Sequence, residues 1–313
     1  MSVSMNQEAP VFQTGEEVTM NLSDPYNIKY KGIYAVADRK NKLVEIMEHS
    51  NCYGGSAWAL YHYSKSPLVI KSRSVGDMMR YLVRTGNSPL DLKSSIAAAG
   101  IESVIINGNE IEITYSGLGG GGVGATTCRA YASGVLRCRI SGSGGGKRAS
   151  GTIVVPRRDR VLVGIDNTDS KEVGATWTLA HNIAEAVDSN ESKYISHTLV
   201  QLFPVPDKTQ NCVATVLEFA CTHDERKGLL DKIREGLEKY SVSDETGMVA
   251  LSDFDAAALM EYSRLCRKEM ITKELTIKTA LENNVEICID GKGIIGALAA
   301  LPWFSRNDEA VVL

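Results

Sequence analysis

Val161-Leu162-Val163-Gly164-Ile165-Asp166-Asn167-Thr168-Asp169-Ser170 is a short apolar run that passes directly into a polar one carrying two carboxylates. Such an apolar run forms a buried strand, and the polar residues mark the turn at its end. Beyond the turn, Ala175, Leu179, Ile183 and Val187 recur at four-residue spacing. That spacing predicts a helix from about Gly174 to Val187 with one apolar face. Asp166 and Asp169, with Asn167, Thr168 and Ser170 between and beside them, form a hard-oxygen set. Magnesium suits it, because that ion takes one or two protein carboxylates and completes its shell with phosphate oxygens and water. Thr176, in the first turn of the helix, falls where a phosphate held at the helix N-terminus would lie. The plainer reading is an Asx-turn in which the two aspartates cap backbone N–H groups.

Working outward, residues 195–203 and 213–220 read as strands and 223–240 and 253–268 as helices, with a strand at 285–289 entering a terminal helix. Residues 157–313 therefore form a mixed αβ domain. Residues 1–156 form a smaller α+β domain, so the fold class is α+β. In it 33–37 and 43–47 read as strands, Ser74 caps a helix from Val75 to Gly86, and Ser88 and Pro89 open a second helix ended by Gly100. Val104 to Ile106 and Ile111 to Tyr115 make a hairpin around Asn107-Gly108. Strands follow at 135–140 and 152–155. Between Gly117 and Gly151 lie 12 of the 28 glycines, which reads as a flexible connector closing the first domain.

Hydrophobic residues at 43% and charged residues at 23% are globular composition, which excludes a disordered tail protein. The longest nearly uncharged apolar run, Gly293 to Phe304, is far shorter than the roughly 20 residues a membrane helix needs. The first 20 residues carry three glutamates and no apolar core, so no leader is expected and the location is cytoplasmic. Seven cysteines without a C-x-x-C pair argue for reduced thiols rather than a disulfide frame or zinc ribbon.

Two further segments could meet a phosphate. Lys208 and Thr209 lie in a polar stretch between two apolar strands, and Gly291-Lys292-Gly293-Ile294-Ile295-Gly296 has the G-x-G-x-x-G form after a strand. No second strand with an acidic residue can follow in the Rossmann manner, so a glycine turn able to receive one phosphate is expected. Close helix-to-sheet packing by the same glycines is the alternative.

Taken in order, Gly164 to Ser170, Lys208 to Asn211 and Gly291 to Ala300 resemble the G-I-D-D-T-D-S, K-T-R-G-N and G-x-G-L-I-G-A-L-A-A segments of the archaeal agmatinylcytidine synthetase family, which modifies an isoleucine tRNA. The likeness covers roughly residues 161–304. The whole chain is similar to methanogenesis marker protein 11, an archaeal family. The synthetase resemblance implies ATP and magnesium as cofactors. Asp166 and Asp169 would hold the metal, Thr176 would sit near the terminal phosphates, and Asn167, Thr168, Ser170, Lys208, Thr209, Gly291, Lys292, Gly293 and Gly296 would bind the nucleotide. Asn167 stands where that family has its second aspartate, and Gln210 where it has an arginine.

The resulting expectation is Mg-ATP-dependent phosphoryl transfer or substrate activation linked to methanogenesis. The acceptor would be a small molecule or a protein, with a methanogenic enzyme as one candidate. A non-catalytic nucleotide-binding assembly factor for such an enzyme is the alternative, and RNA modification the third reading. With 34 basic against 38 acidic side chains and no auxiliary RNA-binding module, tRNA is not expected as a partner. The one local exception is a patch that Lys147, Arg148, Arg157, Arg158 and Arg160 could build.

Overall fold

The computed structural model describes residues 25–206, 208–209 and 211–313. Gln210, and the N-terminal residues read as lacking a leader, lie outside them. The described chain forms three antiparallel sheets. The first is built from β1 (Gly32–Ala37), β2 (Leu43–His49), β3 (Val69–Val75) and β4 (Met78–Arg84), in the order β1-β2-β4-β3, with α1 (Tyr53–Tyr63) between β2 and β3. The second comprises β5 (Gly86–Asn87), β6 (Ala99–Asn107), β7 (Glu110–Leu118), β8 (Arg137–Ile140) and β9 (Arg148–Pro156), ordered β5-β6-β7-β9-β8. Short helices α2 (Gly120–Ala125) and α3 (Thr127–Ala130) follow β7.

The third sheet holds β10 (Asp159–Asp166), β11 (Ser192–Gln201), β12 (Val213–Cys221), β13 (Gly247–Ser252) and β14 (Glu286–Asp290), ordered β11-β12-β10-β13-β14. Its helices are α4 (Thr176–Val187), α5 (Arg226–Tyr240), α6 (Met260–Cys266), α7 (Lys273–Glu282), α8 (Ile294–Ala300) and α9 (Asn307–Ala310). Strand alternation sorts them into two layers. Val161, Val163 and Ile165 pack under α4 and α5, while Leu162 packs with Ala297 and Leu298 of α8. The fold is thus α+β, as the sequence implies.

The upstream sheets share a core. Ile33, Ala35 and Ala37 of β1 face Ile113 and Ile153 across it, whereas Tyr34 and Val36 point the other way, toward Ile195 and Ala220 of the third sheet. That second contact contains a buried ion cluster. Arg80 donates to Glu45 at 3.1 and 2.9 Å and to Glu218 at 2.8 and 2.5 Å; Arg160 donates to Glu218 at 2.8 Å and also reaches Glu45. Burial alone would raise the Glu45 carboxyl, but Arg80 and Arg160 outweigh it and hold it down at about 2. Four charges satisfying one another are compatible with enclosure; an unpaired one is not.

Two expected helices are strands or irregular chain. Residues 75–86 fold as the β3–β4 hairpin because Gly76, at φ 58°, turns the chain tightly. Met79, Tyr81 and Val83 then alternate into the core while Arg80 faces the ion cluster. Residues 88–98 are irregular, and Gly100 lies inside β6 rather than ending a helix. A Cβ there would stand 2.4 Å from Ser66 Oγ, which accepts the Ile101 N–H at 2.9 Å. The β6–β7 hairpin occurs as expected, but its turn is Gly108 (φ 59°) and Asn109 rather than Asn107-Gly108, since Asn107 pairs with Glu110 inside the ladder. The helix expected over 253–268 is reduced to a short 3₁₀ turn and α6, while α1, α7 and β13 were not anticipated.

The glycine-rich connector is also corrected. Gly117, Gly122 and Gly151 let α2 lie directly on β7 and β9, since a Cβ at 117 would meet Gly121 O at 2.3 Å and one at 151 would meet Ala125 O at 2.3 Å. These glycines are packed structure.

Candidate functional site

β10 is central in its sheet and delivers Asp166 to the end where α8 begins. Glycines make that approach possible: a Cβ at Gly164 would sit 2.0 Å from Ala297 O, one at Gly293 2.5 Å from Asp166 O, and one at Gly296 1.9 Å from Asp166 Oδ2. The G-x-G-x-x-G run thus serves close packing. Gly296, Lys292 and Ile295 face the cleft, whereas Gly291 and Gly293 are not among its lining residues.

The cleft encloses about 540 Å³ and brings the three sequence segments together. Asp166, Asn167, Asp169 and Thr176 come from the first, Lys208, Thr209 and Asn211 from the second, and Lys292 and Gly296 from the third. Asn167 adopts φ 56°, a left-handed conformation that Asn and Asp tolerate better than other side chains, so the exchange at this position is conformationally mild. Its N–H donates to Asp166 Oδ1 at 2.8 Å, and Thr209 donates to Asp169 Oδ1 at 3.0 Å. Burial pushes the Asp166 carboxyl up to about 7, opposed by the Asn167 N–H and reinforced by the Asp169 charge. No cation pairs with either carboxylate among the described residues.

Thr176 begins α4, and its oxygen accepts both the Thr168 N–H and the Thr168 hydroxyl at 3.1 Å. With both lone-pair directions engaged, the hydroxyl proton is what remains to offer a ligand. No side chain caps α4, leaving first-turn N–H groups at the cleft wall beside Thr176. Thr168 itself is buried, and Ser170 accepts from Glu172 and Val173 N–H at 3.2 and 3.1 Å; neither lines the cleft. Ser170 is therefore a turn residue. The 241–246 loop braces the site: Ser241 Oγ donates to Thr168 O at 3.1 Å and Thr246 Oγ1 to Asn167 O at 3.1 Å.

Several lining residues were not expected from sequence. Trp177 is half-exposed at the rim, off the apolar stripe of α4, which was the available signal. Leu202, Phe203, Met270 and Ile271 form an apolar end, and Glu245 accepts the Lys292 N–H at 2.8 Å. The basic patch that Arg157, Arg158 and Arg160 could have built with Lys147 and Arg148 does not form. Arg158 is buried and donates to Glu191 O at 2.8 Å, Arg160 belongs to the ion cluster, and Arg148 pairs with Glu102 at 2.9 Å. Among the described residues, no group of three or more His, Cys, Asp or Glu side chains is placed to hold a metal, and no helix is long and apolar enough to cross a membrane.

Residues 162–229 match the family model described as the TiaS TCKD domain, so the C-terminal part of the chain is TiaS-like. Over its length the chain is 42% identical, across 283 residues, to the uncharacterized protein MJ0921 of Methanocaldococcus jannaschii, covering 88% of this chain and 94% of that one. It belongs to the family of that protein. Similar solved structures include a complex of TiaS with an isoleucine tRNA and ATP (27% identity, TM-score 0.42) and a tRNA fluorescent labeling enzyme (28%, 0.42). Each likeness covers 46% of this chain and 36% of the other, so the match spans about a third of those proteins. The expectation that set tRNA aside, in favour of a small-molecule or protein acceptor, is corrected by the match to the TiaS TCKD family model. Net charge over a whole chain is a poor guide to RNA partners, because contacts with phosphates are local.

Proposed function

We propose that the cleft binds ATP with magnesium and that the nucleotide serves modification of an RNA, with tRNA as the partner. The observation that carries the reading is the convergence of three distant segments on one cleft, within a region that includes the TiaS TCKD match. The donor set fits the group: an enclosed carboxylate with no cation paired to it among the described residues, a second carboxylate three residues on, and an uncapped helix start beside both. Mg-ATP supplies an electrophilic phosphorus whose developing charge must be neutralised. Asp166 and Asp169 would hold the metal and Lys208 would face phosphate oxygens. The first turn of α4 and the Thr176 hydroxyl would donate to the same anion. Trp177 and the Phe203 wall would take the base.

A division at residues 156/157 belongs to the same proposal, supported by β9 ending at Pro156 in one sheet and β10 starting at Asp159 in another. No described residue of the cleft ties the reaction to methanogenesis.

The test is ATP consumption with and without added tRNA, in the parent and in Asp166→Asn. Stimulation by tRNA that disappears in the variant is expected. Consumption indifferent to tRNA, together with no tRNA binding at about 0.15 M salt, would overturn the RNA part. Absence of Mg-ATP binding would overturn the whole.

A further inference from the structure

We propose that the upstream half carries a second ligand site, for a nucleotide whose base stacks on Trp58 and whose phosphate meets glycine-rich backbone. The site is a cavity of about 1160 Å³ that shares no lining residue with the phosphate cleft, and the inference stands independently of that cleft.

The cavity combines an aromatic wall with a bare backbone wall. Trp58 is 41% exposed, and its indole is braced by His62, with centroids 4.0 Å apart; His62 Nδ1 is in turn held by the Ala98 N–H at 3.1 Å. Tyr30 and Tyr63 continue the wall above Arg129. Two glycine segments, Gly119 to Gly121 and Gly144 to Gly146, also line it, the first running against Trp58. Gly121 is glycine for an internal reason, since its Cβ would meet the Trp58 ring at 2.9 Å. Gly120 and Gly146 show no such reason among the described residues: neither has a left-handed φ, and no described atom lies within 4 Å of where a Cβ would stand. A molecule seated against the backbone accounts for both, because a side chain there would occupy its place.

Charge selects the class. No carboxylate lines the cavity among the described residues. Arg129 is committed to Glu48, through two bonds of 2.7 Å, and to Tyr63 at 3.0 Å. Lys29 and Lys147 are exposed, make no ion pair among the described residues, and are neighbours in sequence of the lining residues Ile28, Tyr30 and Gly146 without lining the cavity themselves. A flat aromatic ring with an anionic arm matches an indole face beside a glycine-rich backbone wall on which no described carboxylate stands. The nucleotide could be free or an unpaired unit of an RNA strand.

The tryptophans make the test site-specific. Trp58 faces this cavity, Trp177 the other cleft, and Trp303 is buried. The full chain carrying Trp177→Phe is titrated without magnesium, once with AMP and once with an unstructured oligoribonucleotide, while indole emission is followed. Saturable quenching by either probe is expected. Gly146→Leu should weaken it at least about tenfold with an unchanged melt, and Trp58→Ala, read by calorimetry, should weaken binding by roughly 5- to 100-fold. Gly120→Val serves if Gly146→Leu does not fold. Equal affinity for the mononucleotide and the oligomer assigns a free nucleotide; an oligomer bound more than about tenfold tighter assigns an RNA strand. No saturable change with either probe up to about 10 mM, or parent-like affinity in the glycine variant, overturns the proposal.

Discussion

Replacing Gly296 by alanine adds one methyl group and tests whether the glycine run positions a ligand-binding carboxylate. The new Cβ would stand 1.9 Å from Asp166 Oδ2 and 3.1 Å from the Ala214 Cβ. Ordinary contact begins near 3.4 Å, so the carboxylate must retreat by about 1.5 Å. Two effects on stability oppose each other. Alanine in a helix interior gains about 1 kcal/mol over glycine, and overpacking costs about 1–3 kcal/mol. The obstructing atom is the end of a side chain rather than backbone, so the melt should stay near that of the parent. Binding should not. Groups that orient a metal ligand are worth roughly 10- to 100-fold in affinity, and a loss of that size in Mg-ATP binding is expected by calorimetry. Asp166→Asn should show a comparable loss, and the double variant no further one, because both changes act through one carboxylate. Parent-like Mg-ATP affinity in Gly296→Ala, or losses that add in the double variant, would refute the reasoning.

Further outcomes follow from the packing. Arg80→Met leaves Glu45 and Glu218 sharing the Arg160 guanidinium, with Arg73 at 3.5 Å from Glu45 and the Ser196 hydroxyl on Glu218 as the remaining support, and should cost about 3–5 kcal/mol in urea unfolding, far more than an exposed arginine change such as Arg139→Met. Because Glu45 titrates at about 2 in the fold against an ordinary 4.5, its contribution is present above about pH 4.5 and lost as pH falls toward 2. Acid unfolding monitored by circular dichroism should therefore fall within that window in the parent and move to higher pH in Arg80→Met. Saturating Mg-ATP, at about 100 times its dissociation constant, should add about 2.7 kcal/mol to the parent and less to Asp166→Asn, as read from thermal melts.

What the sequence displayed of the fold was whatever one element reveals alone. β10, β12 and α4 announce themselves by apolar runs or four-residue spacing that a single face explains. The 75–100 region misled because Ser74, Gly86, Ser88 and Gly100 mimic helix caps, whereas their roles are set by distant partners. Gly100 is glycine because Ser66 crosses it, and Arg80 sits mid-strand because Glu45 and Glu218 receive it. A charged residue in an apolar run looks like a solvated helix face until its buried counter-ions are known. β13, Gly247-Met248-Val249-Ala250-Leu251-Ser252, is an apolar run of six residues, a length at which periodicity alone does not separate a strand from a piece of helix.

The candidate cleft was legible for a different reason. Its chemistry-bearing residues cluster at segment ends, so Asp166, Asp169, Lys208 and Lys292 could be named without knowing that they meet. The sequence could not display which neighbours hold them. The carboxylate of Asp166 sits where it does because Gly296 has no side chain, and Thr176 faces Thr168 because the 241–246 loop closes the turn from outside. The same distinction explains the glycines. Those at 117, 151, 164, 293 and 296 are occupied by neighbouring backbone or carboxylate, while those at 120 and 146 meet no described atom within 4 Å. Composition treats all seven alike, and only the atom found at each missing Cβ separates a packed glycine from one that leaves room for something else.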